Sequence, residues 1–233
     1  MTRRVAALVA PLLALVAFGC GGHRDDAFVT AARRLRPAVV LLSMKVPPEH
    51  KKDRYDDAYA TAFVVASGPW GSDLLTAQHA IDGAWDLRIT VSNRWSAPVR
   101  VAASNADLDV ALLRTPRGNL PVIALGVAPD LQGDVGREVG LVGYPVPDEF
   151  YDEGLGLATS LGAGRLSSIR KDALEVTLPV VPGESGGPVF LTDTGEVIGL
   201  AESRFDDEPS IGFALPVDDL KKFLHRSDAG HGF

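Results

Sequence analysis

An all-β fold is expected: two six-stranded antiparallel β-barrels, with a short helix closing the chain. Three observations predict it. Short apolar runs rich in Val, Leu, Ile and Ala recur from Val39 to Ala214, broken by Gly, Pro, Ser and Asp, the pattern of strands and turns. The runs fall into two sets of about six, separated by a loose segment from Thr115 to Gly136 with three prolines and four glycines. The chain has 233 residues, 46% hydrophobic and 23% charged, which suits a packed all-β body of this size.

Taken in order, the N-terminus comes first. Arg3 and Arg4 precede an almost uncharged stretch from Val5 to Phe18. A short basic region followed by an apolar one is the pattern of an export signal. With Pro11 inside it, the stretch is too short for a comfortable membrane span, which needs about 20 residues. Cys20, the one cysteine, ends this stretch and cannot form an internal disulfide. Residues 1–19 therefore read as a signal peptide and residues 20–36 as a tether with a short helix over Ala27 to Arg36.

Strands are then expected at Val39 to Val46, Ala60 to Val65, Asp73 to Thr76, Leu87 to Val91, Pro98 to Ala102 and Val110 to Leu113, a first barrel over about 37–115. The second, over about 136–215, takes Arg137 to Val142, Gly156 to Ser168, Ala173 to Leu178, Val189 to Leu191, Val197 to Ala201 and Ile211 to Ala214. A helix follows from Pro216 to Leu224. Its acids lie early and its lysines late, as the helix dipole favours, and Val217, Leu220, Phe223 and Leu224 share one face. The domain runs over 37–225, and residues 226–233 form a polar tail.

Composition excludes some functions. The net charge is −7, which repels nucleic-acid phosphates, and no nucleic-acid motif is present. No His/Cys spacing suits a metal, and no cofactor is expected; the acids at Asp25-Asp26, Asp56-Asp57 and Asp206-Asp207-Glu208 read as solvated loops. The chemistry centres on Pro182-Gly183-Glu184-Ser185-Gly186-Gly187-Pro188. A serine hydroxyl is a weak nucleophile and needs a base, itself held by an orienting group. Of five histidines, His23, His50, His225 and His231 lie in tether, loop or tail segments. His79 alone follows an apolar strand. For the acid, Asp109 directly precedes an apolar strand, and Asp107 is its rival on the same face by strand alternation. The first set of strands supplies His79 and Asp109 and the second Ser185, so a cleft between the barrels would gather them.

Thr76-Ala77-Gln78-His79, Asp109-Val110-Ala111-Leu112-Leu113 and Gly183-Glu184-Ser185-Gly186-Gly187-Pro188 resemble the three catalytic motifs of chymotrypsin-fold serine proteases. Ile211-Gly212-Phe213-Ala214-Leu215-Pro216 is similar to the segment that ends the protease domain of the HtrA/Deg group. The resemblance covers roughly Ala38 to Leu224. It implies a trypsin-like serine endopeptidase acting on polypeptides in quality control or processing. In it Ser185 is the nucleophile, His79 the base, Asp109 the orienting acid, and the Gly183 and Ser185 N–H groups the oxyanion hole. The segment Val16 to Cys20 resembles a bacterial lipobox, although Phe18 is bulky for it. That implies a lipid on Cys20 and an exported, membrane-anchored protein.

Departures from the family pattern are equally specific. Glu184 stands where Asp or Asn is usual. Ala80 stands where many secreted members have a disulfide cysteine. Glu202 falls where Ser or Thr is preferred, beside the specificity pocket; facing the triad, it would raise the pKa of His79. The pocket is expected from Pro179, Glu202 and Gly212, with its floor near Pro179 and an apolar preference. Proteins of the HtrA group carry PDZ modules after the protease domain, and none is expected after Leu224. Glu202, with Thr61 and Ala62 where glycine is common, motivates an alternative: a protease-fold binding protein without activity. An α/β-hydrolase is disfavoured, because the residues after Ser185 read as strand and the triad order differs.

Overall fold

Residues 26–48, 54–91, 95–126, 131–202 and 211–227 are described by the computed structural model. The proposed signal peptide, Cys20, His23, His50, His231 and the acids at 206–208 lie outside them. The first half holds β1 (Val39–Val46), β2 (Asp56–Gly68), β3 (Gly71–Thr76), β4 (Trp85–Val91), β5 (Trp95–Pro98), β6 (Arg100–Asn105) and β7 (Val110–Thr115). The second holds β8 (Glu138–Gly143), β9 (Ser160–Ile169), β10 (Leu174–Val176), β11 (Pro188–Leu191), β12 (Val197–Glu202) and β13 (Gly212–Pro216). Helices are α1 (Ala27–Leu35), α2 (Leu131–Asp134), α3 (Pro147–Asp152) and α4 (Val217–Ser227).

The all-β class and the two halves are as expected, but the first half differs in detail. It is a seven-stranded sheet, β5-β4-β1-β2-β3-β7-β6, whereas the second is a closed six-stranded barrel, β10-β13-β12-β11-β8-β9. The seventh strand arises because the chain turns a corner at Pro98-Val99. β5 pairs with β4, where the Val99 N–H continues the register past Pro98 by bonding to Leu87 O at 3.0 Å, and β6 pairs with β7. β5 and β6 are the two edges of the sheet and only Val99 lies between them, so the curled sheet closes by chain continuity rather than by a ladder.

Burial follows from which faces are covered. Val139, Leu141, Val189, Leu191 and Ile198 point into the second barrel. Their alternates Val142, Phe190, Val197 and Leu200 point the other way and join the core of the first half. Strands β11 and β12 are therefore buried on both faces and show no polar alternation. α4 packs on β12 and β13 of the barrel and on β6 and β7 of the sheet, with Val217, Leu220, Phe223 and Leu224 buried.

The helix expected in the N-terminal tether is part of this body. Asp26 caps α1 by accepting the Phe28 N–H at 3.1 Å. The Phe28 and Phe190 rings stack at 6.0 Å, and Arg34 donates to Gly195 O at 2.7 Å. α1 thus packs on the second half of the fold before the first sheet begins.

Candidate active site

Three breaks in regular structure carry the residues singled out above. β3 stops at Thr76, and a short 3-10 turn over His79–Ile81 follows, leaving His79 exposed at the strand end. Asp109 closes the turn between β6 and β7, where the Leu108 N–H bonds to Asn105 Oδ1 at 3.0 Å. Its φ of 52° is left-handed, which aspartate tolerates better than most residues. That conformation turns the carboxylate onto the histidine. Oδ2 lies 2.5 Å from His79 Nδ1, and Oδ1 accepts the His79 main-chain N–H at 2.7 Å. Asp107 is exposed, because the chain is a turn there and strand alternation does not apply.

The hydrogen bond to Asp109 raises the pKa of His79 above its ordinary value. Burial opposes the rise, and the charges of Asp109 and Glu202 add to it. Glu202 is almost fully buried at the end of β12.

Ser185 is buried in the turn between β10 and β11. The turn is stapled to β12 by Gly186 N–H to Ala201 O at 2.9 Å and Ala201 N–H to Gly187 O at 2.8 Å. Across the halves, the Thr61 N–H donates to Ser185 O at 3.0 Å. Gly186 has φ +89°, and a Cβ there would sit 2.2 Å from Thr61 O and 3.0 Å from Ala77 N. Only glycine allows the serine turn to press so closely on the strand leading to His79. No hydrogen bond joins Ser185 Oγ to the His79 ring among the described residues; such bonds often tighten only when substrate is bound.

Gly183 has φ +90°, and a Cβ there would lie 2.3 Å from Tyr144 O. The Val146 N–H bonds to Pro182 O at 2.8 Å. In a trans peptide the C=O and N–H point opposite ways, so the Gly183 N–H faces away from Val146. Among the described residues neither the Gly183 nor the Ser185 N–H has a partner. Buried N–H groups are rarely left so, and a pair beside a hydroxyl suits a negatively charged oxygen. Glu184 points inward: burial pushes its carboxyl above the ordinary value, against a bond from the Val181 N–H at 3.2 Å.

The chain has known relatives. The family model described as "Trypsin-like peptidase domain" matches residues 60–200. The chain belongs to the trypsin-like peptidase family. It is homologous to the HtrA/DegP serine proteases. It is 31% identical over 162 residues to "Protease Do-like 1, chloroplastic" of Arabidopsis thaliana, covering 62% of this chain and 34% of that protein. It is 26% identical over 162 residues to "Serine protease Do-like HtrA" of Bacillus subtilis, covering 64% and 34%. Among solved structures, "HtrA-type protease AlgW with tripeptide" shares the fold at TM-score 0.66 and 23% identity, over 86% of this chain and 62% of that one. The serine endoprotease from Yersinia pestis does so at TM-score 0.67 and 24% identity, over 86% and 66%. The chain spans about a third of the length of the two curated relatives.

Within this peptidase domain the residues expected around the pocket are placed as follows. Pro179 is exposed. Leu178 before it is drawn into the barrel core, so the chain alternates and turns Pro179 outward. Val180 stands by Gly212: a Cβ on Gly212 would meet Leu178 O at 2.4 Å and Val180 Cγ2 at 2.9 Å. Glu202 lies on the adjacent strand, its register partner being Phe213. A cavity of about 820 Å³ between β2 and α4, lined by Val65, Trp70, Val122, Lys221 and Leu224 among others, includes none of the triad candidates. Tyr144 and Val146 were not singled out from the sequence, and Thr61 was noted only as a departure from glycine, without its bonds to Gly183 O and the Tyr144 N–H. The one available signal was the Thr61 hydroxyl inside the apolar run Ala60 to Val65.

Proposed function

We propose that this domain is a serine endopeptidase in which Ser185 attacks the scissile carbonyl. His79 takes the Ser185 proton and returns it to the leaving amine. Asp109 holds the imidazole with its proton on Nδ1 and stabilises the imidazolium. The N–H groups of Gly183 and Ser185 receive the oxyanion. The observation that carries this reading is the Asp109 carboxylate, which grips His79 through both ring and main chain on the strand end that the Ser185 turn touches. Substrates are polypeptides, and the role is quality control or processing.

We place the protein outside the cytoplasm, anchored through a lipid on Cys20. A similar protein of Halomonas elongata, 26% identical over 75% of this chain and 36% of its own, bears the name "Probable periplasmic serine endoprotease DegP-like". Export of this chain is consistent with that relative and with the basic-then-apolar start of the sequence.

Labelling with a fluorophosphonate probe tests the chemistry. The folded parent is expected to label and Ser185→Ala to remain unlabelled. A folded parent that does not react overturns the peptidase reading.

The pH profile gives a second expected result. Only neutral His79 acts as base, and its pKa is raised, so kcat/KM should rise with pH to half its plateau above 6.5, the ordinary histidine value. Glu202→Thr removes a negative charge that favours the imidazolium, and should move this limb to lower pH. A limb unmoved by the substitution would show that Glu202 does not act on His79.

A further inference from the structure

Thr61 ties the two halves together at one point. It is fully buried in β2. Its hydroxyl donates to Gly183 O at 2.7 Å and accepts the Tyr144 N–H at 3.0 Å. Its main-chain N–H donates to Ser185 O at 3.0 Å, and its carbonyl accepts the Thr76 hydroxyl at 2.8 Å. One residue of the first sheet thus holds the serine turn, the segment before α3, and the strand that ends near His79.

Gly183 is where this matters. Glycine has the freest backbone of any residue, so a glycine that must aim an N–H needs its neighbouring peptides held. The peptide before Gly183 is held by the Val146 N–H on Pro182 O. Val146 itself has φ 35° and ψ 57° immediately before Pro147, which a β-branched residue adopts only under strain. The peptide after Gly183 is held by the Thr61 hydroxyl on Gly183 O. Both planes are anchored, and the Gly183 N–H is left without a protein partner among the described residues.

We propose that Thr61 is a positioning residue of the oxyanion pocket: its hydroxyl, by joining Gly183 O to the Tyr144 N–H, keeps the Gly183 N–H turned toward the carbonyl under attack. The proposal rests on the peptidase reading above. It gives a task to a residue whose departure from glycine otherwise counts against activity. Threonine meets the need because one hydroxyl both donates and accepts. Valine has the same shape, provides neither bond and leaves Gly183 O and the Tyr144 N–H buried and unsatisfied.

The test compares Thr61→Val and Thr61→Ser with the parent and with Ser185→Ala, using a fluorogenic peptide amide chosen for turnover by the parent. Thr61→Val should lower kcat by about 10²-fold, the scale of losing one oxyanion donor, with KM within about threefold because ground-state binding does not use that N–H. Thr61→Ser, which keeps the hydroxyl, should stay within about threefold of the parent. If Thr61→Val does not fold, Thr61→Cys, a weak donor, is judged by the same kcat-to-KM split. Parental kcat in Thr61→Val, or a loss in Thr61→Ser as large as in Thr61→Val, overturns the proposal alone. A parent with no turnover that Ser185→Ala abolishes overturns it together with the peptidase reading.

Discussion

Asp109→Asn is expected to lower kcat by about 10⁴-fold while the protein stays folded. The two oxygens of Asp109 have separate tasks. Oδ1 takes the main-chain N–H of His79 and Oδ2 faces ring Nδ1. Asparagine keeps one acceptor and gains a donor. The main-chain N–H cannot be turned away without undoing the 3-10 turn, so the amide oxygen stays there and the NH₂ faces the ring. Nδ1 must then accept, the proton moves to Nε2, and the ring loses the lone pair that would take the Ser185 proton. Steady-state kinetics, with nitrogen NMR of the ring to report its tautomer, checks both halves of this account. Asp107→Asn serves as the comparison: Asp107 is exposed, and its substitution should leave kcat within about threefold, as surface changes away from a site usually do. An Asp109→Asn protein of parental rate would remove Asp109 from the mechanism.

The largest effect on stability is expected at Arg114. Asp73 is buried in β3 with a side-chain exposure of 1%, and Arg114 on the paired strand β7 is 26% exposed. The guanidinium bonds both carboxylate oxygens at 2.6 Å, and Trp70 covers it at 5.7 Å. Arg114→Ala leaves a buried carboxylate uncompensated, at a cost of about 3–5 kcal/mol. Replacing both partners, Asp73→Asn with Arg114→Met, should recover most of that, since no charge is then stranded. Arg165 and Glu138 form the contrasting case. Their side chains are 59% and 64% exposed, and breaking that pair should cost no more than about 1 kcal/mol. Urea unfolding at neutral pH, with the slope checked for constancy, measures all three. A loss below about 1 kcal/mol in Arg114→Ala would mean that water reaches Asp73 and that the pair is not a desolvated one.

The local sequence was a good guide wherever one residue type decides a backbone event. The second barrel has its six strands where the apolar runs end in Gly, Pro or charge. The α4 helix follows its spacing of Val217, Leu220, Phe223 and Leu224 and runs on to Ser227. It was a poorer guide at corners. The run expected from Pro98 to Ala102 begins instead at Arg100 as β6, and Trp95–Pro98 forms a separate strand, β5, paired with β4. In the same way the chain around Asp107 reads as extended but is a turn, since the Asn105 side chain caps the Leu108 N–H.

His79, Asp109 and Ser185 could be picked out as candidates because the chemistry restricts each role to a few residue types. The glycines around Ser185 could be read too, because close backbone approach excludes a Cβ. Which acid meets His79, where Pro179 faces, that α1 packs on the second half of the fold, and that a hydroxyl in β2 reaches Gly183 were settled only by the tertiary structure. Each of these depends on distances between segments far apart in the chain, such as the 122 positions between Thr61 and Gly183. Residue order sets local backbone preference and which faces are apolar. Which buried polar atoms meet is decided only when the two halves pack and every donor must find its acceptor.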